Sequence, residues 1–164
     1  MDVPFKFSKQ HLGETDTVMP TIYILNGPNL NMLGKREPEI YGSKTLDHLK
    51  EALDRQAGRH ENVGLKHHQF NHEGDMIECL HGVFNDADCV GIIINPGAWS
   101  HTSIALRDAL AMLKVPVMEV HLSNIYAREE FRHHSYVSAL AEGILGGMGM
   151  HGYHMALGYL LAKI

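Results

Sequence analysis

A short and almost wholly apolar run, Cys89-Val-Gly-Ile-Ile-Ile-Asn95, constrains the fold of this chain more than any other feature. Such a run is typical of a central strand in a parallel sheet, where helices cover both faces. Apolar or alternating residues at 22–25, 63–70 and 115–122, with a weaker stretch at 141–145, predict four more strands. The chain therefore has the strands of an open parallel sheet.

Amphipathic helices are predicted between the first four strands and after the fifth, because apolar residues recur there three or four positions apart. The apolar stripes cover residues 46–57, 76–84, 104–113 and 153–161. Strand and helix thus alternate along the chain, as in an α/β domain with right-handed crossovers. The simplest architecture of this size is a flavodoxin-like, five-stranded parallel doubly wound sheet flanked by helices. The order of the strands cannot be read from periodicity.

The length of 164 residues fits one ordinary domain. Residues 1–20 follow neither period and contain Pro4, Gly13 and Pro20. We therefore assign residues 1–20 to an N-terminal extension and residues 21–164 to a single domain.

Composition narrows the classes of function. The hydrophobic share of 45% and charged share of 20% are those of a soluble globular protein, and no apolar stretch approaches the roughly 20 residues of a membrane span. A signal-peptide core is absent from residues 1–10 and the chain has only 2 cysteines, which predicts a cytoplasmic location. The formal net charge of −5 disfavours a general nucleic-acid binder, although a few arginines suffice for a small anion.

The polar and turn-forming residues of the chain follow the predicted strands. Ligands of open α/β sheets bind outside the carboxyl ends of the strands, so these segments are expected to build one site from four loops. The segments are residues 26–41 after the first strand, 71–75 after the second, 95–103 after the third, and 119–124 with 127–135 after the fourth. Their arginines, amides and histidines suit a hydroxylated carboxylate as ligand.

Each segment alone has a simpler explanation. Residues 26–29 are typical of a turn, and residues 95–97 of a strand terminator. Residues 101–102 could cap a helix. Arg128 and Arg132 stand beside acidic neighbours and could belong to a solvated, salt-bridged face. The functional interpretation depends on all of these residues meeting at one rim.

Three sharper motifs fail. A phosphate-binding loop is excluded because six residues separate Gly27 from Gly34, and Arg36 occupies the position of the magnesium-binding hydroxyl. No Gly-x-Gly-x-x-Gly follows the first strand. The histidines of 67–72 and 133–134 lack the His-Glu-x-x-His spacing, and the cysteines stand apart. These failures disfavour a catalytic metal, a phosphate-binding loop and a dinucleotide fingerprint.

The combination resembles the type II 3-dehydroquinate dehydratase family. Four blocks carry the resemblance, and the similarity runs from about residue 21 to the end of the chain. The blocks are NGPNLNMLGKREPEIYG at 26–42, NHEGD at 71–75, INPGAWSHTSIALRDAL at 94–110 and EVHLSNIYAREEFRHHSY at 119–136.

The resemblance implies a function and an assembly. The implied reaction is the reversible anti elimination of water from 3-dehydroquinate, through an enolate, to give 3-dehydroshikimate in the shikimate or quinate pathway. The implied assembly is a homododecamer built from trimers. Enzymes of this family use neither a metal nor a Schiff-base lysine, so the resemblance implies no metal and no cofactor for this chain. Nucleic acid or membrane partners are not expected.

The resemblance also implies roles for individual residues. Tyr41 matches the general base that removes the proton α to the ketone, and Arg36 matches the arginine that supports the ionised phenol. His121 matches the general acid, with Glu119 holding it, and Asn29 matches the residue that positions a water at the enolate oxygen. The remaining matches form the substrate-binding set: Asn95, His101, Leu122, Ser123 and Arg132, Asp108 from a neighbouring subunit, and Arg128 beside the mobile loop.

The loop at 26–42 is chemically suited to this role. A phenol with an ordinary pKa near 10 is ionised in only about one molecule in a thousand at pH 7. A close arginine favours the ionised form by roughly one or two pKa units, each about 1.4 kcal/mol. The glycines and the length of the loop suggest a lid that brings Arg36 and Tyr41 over the substrate.

Two positions depart from the family pattern. Trp99 replaces a tyrosine or a smaller residue and is expected to reshape the pocket wall, and Tyr126 replaces a histidine. Two other classes of function remain open at this point. One is a flavodoxin-type module that binds a flavin or nucleotide at the same rim, and the other is an inactive relative kept as an assembly.

Overall fold

The computed structural model describes residues 19–35 and 44–164. Within them, five strands form one sheet: β1 Thr21–Asn26, β2 Gly64–Gln69, β3 Cys89–Asn95, β4 Val117–His121 and β5 Gly143–Gly146. Residues 1–18 lie outside the described part of the chain, so the N-terminal extension stays a prediction.

The sheet has the strand order β2-β1-β3-β4-β5, and all four strand pairings are parallel. This order confirms the flavodoxin-like, doubly wound architecture. The chain adds β2 on one side of β1 and then β3, β4 and β5 on the other side. The carboxyl ends of β1 and β3 are therefore the topological switch point, where ligands bind in such folds.

In the described residues, three helices connect the strands from β1 to β4: α1 Leu46–Ala57, α2 Glu73–Phe84 and α3 Ile104–Ala111. A fourth helix, α4 His151–Leu161, follows β5. Thr45 begins α1 through a capping box with His48, and the Ser103 hydroxyl accepts the N–H of Leu106 at the start of α3. The interpretation of residues 101–102 as a helix cap is therefore wrong, because Ser103 is the N-cap and His101 ends a separate 3₁₀ turn, Gly97–His101.

Element boundaries differ from the expected ones by a few residues. The run Cys89–Asn95 is a strand over its whole length. The fourth strand begins at Val117, after Pro116, and α3 ends at Ala111, two residues before the end of its apolar stripe. The fifth strand is Gly143–Gly146, so its expected start at residue 141 is too early.

Two apolar layers cover the sheet. On one face, Leu25, Ile92 and Ile94 pack against residues of α2 and α3 such as Leu80 and Leu106. The other face packs against α1 and α4, and its members include Ile24, Ile93, Val120, Leu53 and Leu157. Burial on both faces explains why the central strands are almost wholly apolar. In the described part of the chain, no helix has the length and apolarity that a membrane span requires.

Candidate active site

A cavity of about 300 Å³ opens at the carboxyl ends of β1, β3 and β4. It lies at the predicted switch point, and segments that follow three different strands surround it. Its lining is made of Pro28, Asn29, Leu30, Met32, Leu33, Asn95, Gly97, Ala98, His101, His121, Leu122, Ser123, Ile125, Arg128 and Arg132. The mixture of apolar side chains and a few convergent polar groups is typical of a small-molecule site.

The loops after β1 and β3 are packed against each other. A Cβ atom on Gly27 would lie 2.3 Å from the carbonyl oxygen of Pro96, so only glycine permits this approach. Asn29 adopts a left-handed backbone conformation with φ 67°, and its N–H donates to Oδ1 of Asn71 at 3.0 Å. The turn at 26–29 is thus also a wall of the cavity, held in place from the loop after β2.

Glu119 and His121 form a buried pair on β4. Their positions two residues apart place both side chains on the same face of the strand. Nε2 of His121 lies 2.7 Å from Oε1 of Glu119, and the carboxylate is fully buried. His121 also lines the cavity, whereas Glu119 stands behind it.

Glu119 is an ionised carboxylate despite its burial. Burial alone raises the pKa of a carboxyl group, but hydrogen bonds from His121, Ser135 and Ser138 hold the pKa of Glu119 below its ordinary value of 4.5. An ionised carboxylate only accepts hydrogen bonds, so Nε2 of His121 carries the proton between them. Nδ1 is then the ring nitrogen of His121 that can exchange a proton with a bound molecule.

His101 is a second histidine in the cavity, with a different environment. Its Nδ1 lies 2.8 Å from the carbonyl oxygen of His134 and therefore donates to it, which leaves Nε2 as an acceptor in the neutral ring. Burial lowers the pKa of His101 below 6.5, and the nearby charges of His121 and Arg132 act in the same direction. The rings of His101 and His121 are stacked with centroids 6.3 Å apart.

Two arginines give the cavity a positive side. Nε of Arg132 lies 2.8 Å from Oε2 of Glu129, and Nε of Arg128 lies 3.5 Å from the same oxygen. An Arg128 guanidinium nitrogen also lies 3.5 Å from Oγ of Ser123. The salt-bridged face that the sequence left open is therefore present, and both arginines line the cavity at the same time.

The structure brings together most of the residues expected at the site. Those that line the cavity are Asn29, Asn95, His101, His121, Leu122, Ser123 and Arg132. Arg36 and Tyr41 lie outside the described residues. Asp108 lies on α3 with 69% of its side chain exposed and does not line the cavity of its own subunit.

Trp99 does not shape the cavity in the way that was expected. Its side chain packs against the apolar layer beside α2 and α3, and it is absent from the cavity lining. Tyr126 is 67% exposed and lies against the ring of His133, with centroids 5.8 Å apart. Neither departure from the family pattern reaches the cavity wall.

The histidine-rich segments do not assemble a metal site in the described part of the chain, where no three His, Cys, Asp or Glu side chains converge. His67 instead lies 2.7 Å from Oδ1 of Asp54. His68 stacks between Tyr23 and Phe70, with centroid distances of 6.0 and 5.9 Å.

The sequence did not reveal the residues that support the site without lining the cavity. Ser135 and Ser138 contact Glu119, and Gly27 permits the contact between two loops. A serine or a glycine has no diagnostic spacing of its own. The available signal was that a buried glutamate in the middle of a strand needs donors from outside the strand.

Taken together, the fold and the cavity are those of an α/β protein with histidines, a buried carboxylate and arginines at a small-molecule site. Residues 20–161 match the family model described as dehydroquinase class II. The chain belongs to the class II dehydroquinase family.

Similar proteins agree with this placement. The 3-dehydroquinate dehydratase of Psychromonas ingrahamii is 53% identical over 143 residues, which are 87% of this chain and 94% of that protein. The catabolic 3-dehydroquinase of Pyricularia oryzae is 48% identical over 88% of this chain and 92% of its own length. The type II dehydroquinase structure from Propionibacterium acnes is 46% identical, with a TM-score of 0.80 over 87% of this chain and 96% of that one.

Proposed function

We propose that this chain catalyses the dehydration of 3-dehydroquinate to 3-dehydroshikimate, with His121 as the general acid. The activity is that of a hydro-lyase, and the reaction and its place in the shikimate pathway follow from the family. The observation that carries the proposed role of His121 is its pairing with the buried Glu119 at 2.7 Å, beside a cavity with a positive side.

The cavity suits the charge and the hydroxyl groups of this substrate. Its carboxylate is assigned to the backbone amides of Leu122 and Ser123, just past the end of β4, where Arg132 supplies positive charge. His101 and Asn95 are assigned to the substrate hydroxyls. The neutral His101 ring suits this role because its free Nε2 accepts a hydrogen bond while its Nδ1 is held by a backbone carbonyl.

The elimination requires a base and an acid in sequence. The base removes the proton from the carbon α to the ketone, and the electron pair of the C–H bond becomes an enolate. The enolate then re-forms the ketone, the electron pair makes the new carbon–carbon double bond, and the carbon–oxygen bond to the β-hydroxyl breaks. His121 donates its proton to the departing oxygen, which leaves as water.

The buried Glu119 suits His121 to this step. When His121 donates its proton, the ionised Glu119 remains hydrogen-bonded to Nε2 at 2.7 Å and keeps the ring in place. The carboxylate also fixes the ring so that Nδ1 is the proton-donating atom. Asn29, which also lines the cavity, is assigned to the water that stabilises the enolate oxygen.

Tyr41 is proposed as the base and Arg36 as the residue that stabilises its ionised form. Both lie outside the described residues, so these two roles depend on the match of the block at 26–42 to the family pattern. The described part of that segment, up to Lys35, lines the cavity through Met32 and Leu33.

We also propose a homododecamer built from trimers in which Asp108 completes a neighbouring active site. The support is the exposure of Asp108 on α3, away from the cavity of its own subunit. A cytoplasmic location is consistent with Cys79 and Cys89, which are both free thiols.

The direct test is turnover of 3-dehydroquinate, followed by the ultraviolet absorbance of the conjugated enone-carboxylate product. We expect turnover that survives both a chelator and borohydride, because the proposed mechanism uses neither a metal nor a Schiff base. Folded protein that produces no absorbance change would contradict the proposed function and leave the fold unaffected.

A further inference from the structure

The short segment from His134 to Ser138 contacts His101 and also Glu119, the hydrogen-bond partner of His121. Its first residue accepts the Nδ1 proton of His101 through the backbone carbonyl, and the N–H of Tyr136 donates to the carbonyl of Ser100. Two serines of the same segment point in the other direction, toward Glu119.

Each oxygen of the Glu119 carboxylate receives a hydroxyl. Oγ of Ser135 lies 2.6 Å from Oε1, the oxygen that also contacts His121, and Oγ of Ser138 lies 2.5 Å from Oε2. Ser135 is itself oriented, since its Oγ accepts the backbone N–H groups of Val137 and Ser138 at 3.2 and 3.3 Å. With those acceptor positions occupied, the hydroxyl proton of Ser135 is directed at Glu119.

We infer that Ser135 and Ser138 are positioning residues of the active site, which hold Glu119 as a buried carboxylate and thereby fix the imidazole of His121. This inference rests on the proposed function for its catalytic consequence. Neither serine lines the cavity, so both act only through Glu119.

The surroundings of Glu119 supply few other polar contacts. The ionisable groups that interact with Glu119 are His121 on the same strand and His101 in the 3₁₀ turn after β3, and Arg132 on the cavity rim in turn interacts with His101. On the neighbouring strands the residues in register with Glu119 are Ile94 of β3 and Ile144 of β5, both apolar. Without the serines, His121 would be the main hydrogen-bond partner of the carboxylate, and burial would raise the pKa of Glu119 with less opposition.

The consequence is a selective loss of activity at low pH in the Ser135→Ala, Ser138→Ala double variant. Removal of both donors raises the pKa of Glu119, so the carboxyl group becomes protonated at a higher pH and no longer orients His121. We expect the acid limb of the kcat profile to move to higher pH by roughly one unit or more, since each lost bond to a charged group is worth about one pKa unit. The single variant Ser138→Thr keeps a hydroxyl at this position and should show the acid limb of the wild type.

A second readout does not depend on catalysis. Because the folded-state pKa of Glu119 is below 4.5, its charge stabilises the fold above the unfolded-state pKa, and this stabilisation is lost as the pH falls. The Tm difference between wild type and the double variant should therefore narrow as the pH is lowered from about 8 to about 4. The matched control is Thr21→Val, which removes a buried hydroxyl bond at the opposite end of the sheet. Its Tm difference should not change with pH.

The two readouts separate the possible failures. A pH-independent Tm difference together with an unmoved acid limb would overturn the inference and reduce the serines to packing residues. If the wild type does not convert 3-dehydroquinate, the proposed function fails, but a pH-dependent Tm difference would still support the role of the serines toward Glu119.

Discussion

Gly27 and Pro96 pack so closely that a methyl group at residue 27 would lie 2.3 Å from the carbonyl oxygen of Pro96. This contact joins the loop after β1, which carries Asn29, to the loop after β3, which follows Asn95. The loops that form two walls of the cavity are thus in direct contact through their backbone atoms. Their separation cannot change without moving residues proposed to bind the substrate.

The substitution Gly27→Ala adds only one methyl group but should lower the rate of catalysis strongly. Because the obstructing atom belongs to the backbone, the two loops must separate, and a displacement on the order of 1 Å near reacting groups costs about 10²-fold in rate. We expect kcat/KM to fall by about that factor and the free energy of unfolding to fall by roughly 1–3 kcal/mol. Steady-state kinetics and denaturant unfolding measure the two effects.

Gly82→Ala is the matched control for this variant. Gly82 is an exposed residue of α2 with no atom within 4 Å of an added Cβ. Alanine there should leave kcat/KM unchanged and stabilise the protein by about 0.5–1 kcal/mol. Equal kinetic losses in both variants would show that the contact with Pro96 has no special role.

A second polar cluster lies at the other end of the sheet and should affect stability alone. The Lys66 ammonium lies 2.9 Å from Oδ2 of Asp86, and the Tyr23 hydroxyl donates to the same oxygen at 2.5 Å. These bonds, that of Lys66 first, lower the pKa of Asp86 from 3.8 to about 2. The charge of Asp86 therefore stabilises the fold above pH 3.8, and this stabilisation is lost as the pH falls through about 2.

We expect Asp86→Asn to lower the Tm by about 1–4 °C at pH 7, because Lys66 is half exposed and surface pairs are weak. The difference in Tm between wild type and Asp86→Asn should shrink as the pH is lowered below 4. The kcat of the variant should equal that of the wild type. A difference that grows at low pH would contradict the assignment of the charge.

Asp108 should act on a neighbouring subunit. Its exposed position on α3 predicts that Asp108→Asn raises the KM for 3-dehydroquinate without altering the fold. The decisive sample is a hybrid assembly, purified through two different tags, of Asp108→Asn chains and Tyr41→Phe chains. In such hybrids every site with an intact base belongs to an Asp108→Asn chain.

If Asp108 acts across the interface, some of those sites receive an intact Asp108 from a Tyr41→Phe neighbour, and a fraction of the activity returns with the wild-type KM. If it acts within its own chain, every active site keeps the raised KM. The homogeneous Asp108→Asn assembly provides the reference value.

The sequence was most informative where burial imposes a pattern. The run Cys89–Asn95 is buried on both faces and became a strand of that length, and the polar residues after β1, β3 and β4 met at one rim because parallel strands share that edge. Strand ends were less certain where packing weakens, as at the edge strand β5 and before Val117.

The support behind the site was not predictable from local pattern. Ser135 and Ser138 reach Glu119 across 16 and 19 positions of sequence, and the spacing of two serines does not indicate which side chain they contact. Trp99 illustrates the opposite error. Its position between site residues suggested a role in the cavity, but the 3₁₀ turn directs its side chain into the apolar layer.

The central claim is that His121 protonates the departing hydroxyl after another residue has formed the enolate. The most direct measurement is to incubate His121→Asn with 3-dehydroquinate in D₂O and to follow two quantities: deuterium at the carbon α to the ketone, by mass spectrometry, and the absorbance of the product. Tyr41→Phe under the same conditions is the control, because it lacks the proposed base.

We expect His121→Asn to exchange the α proton faster than the uncatalysed rate while eliminating water at least about 10²-fold more slowly than wild type. Tyr41→Phe should neither exchange nor eliminate. Elimination at a near-normal rate in His121→Asn, or loss of exchange equal to that in Tyr41→Phe, would contradict the assignment of His121 as the acid that acts on the enolate.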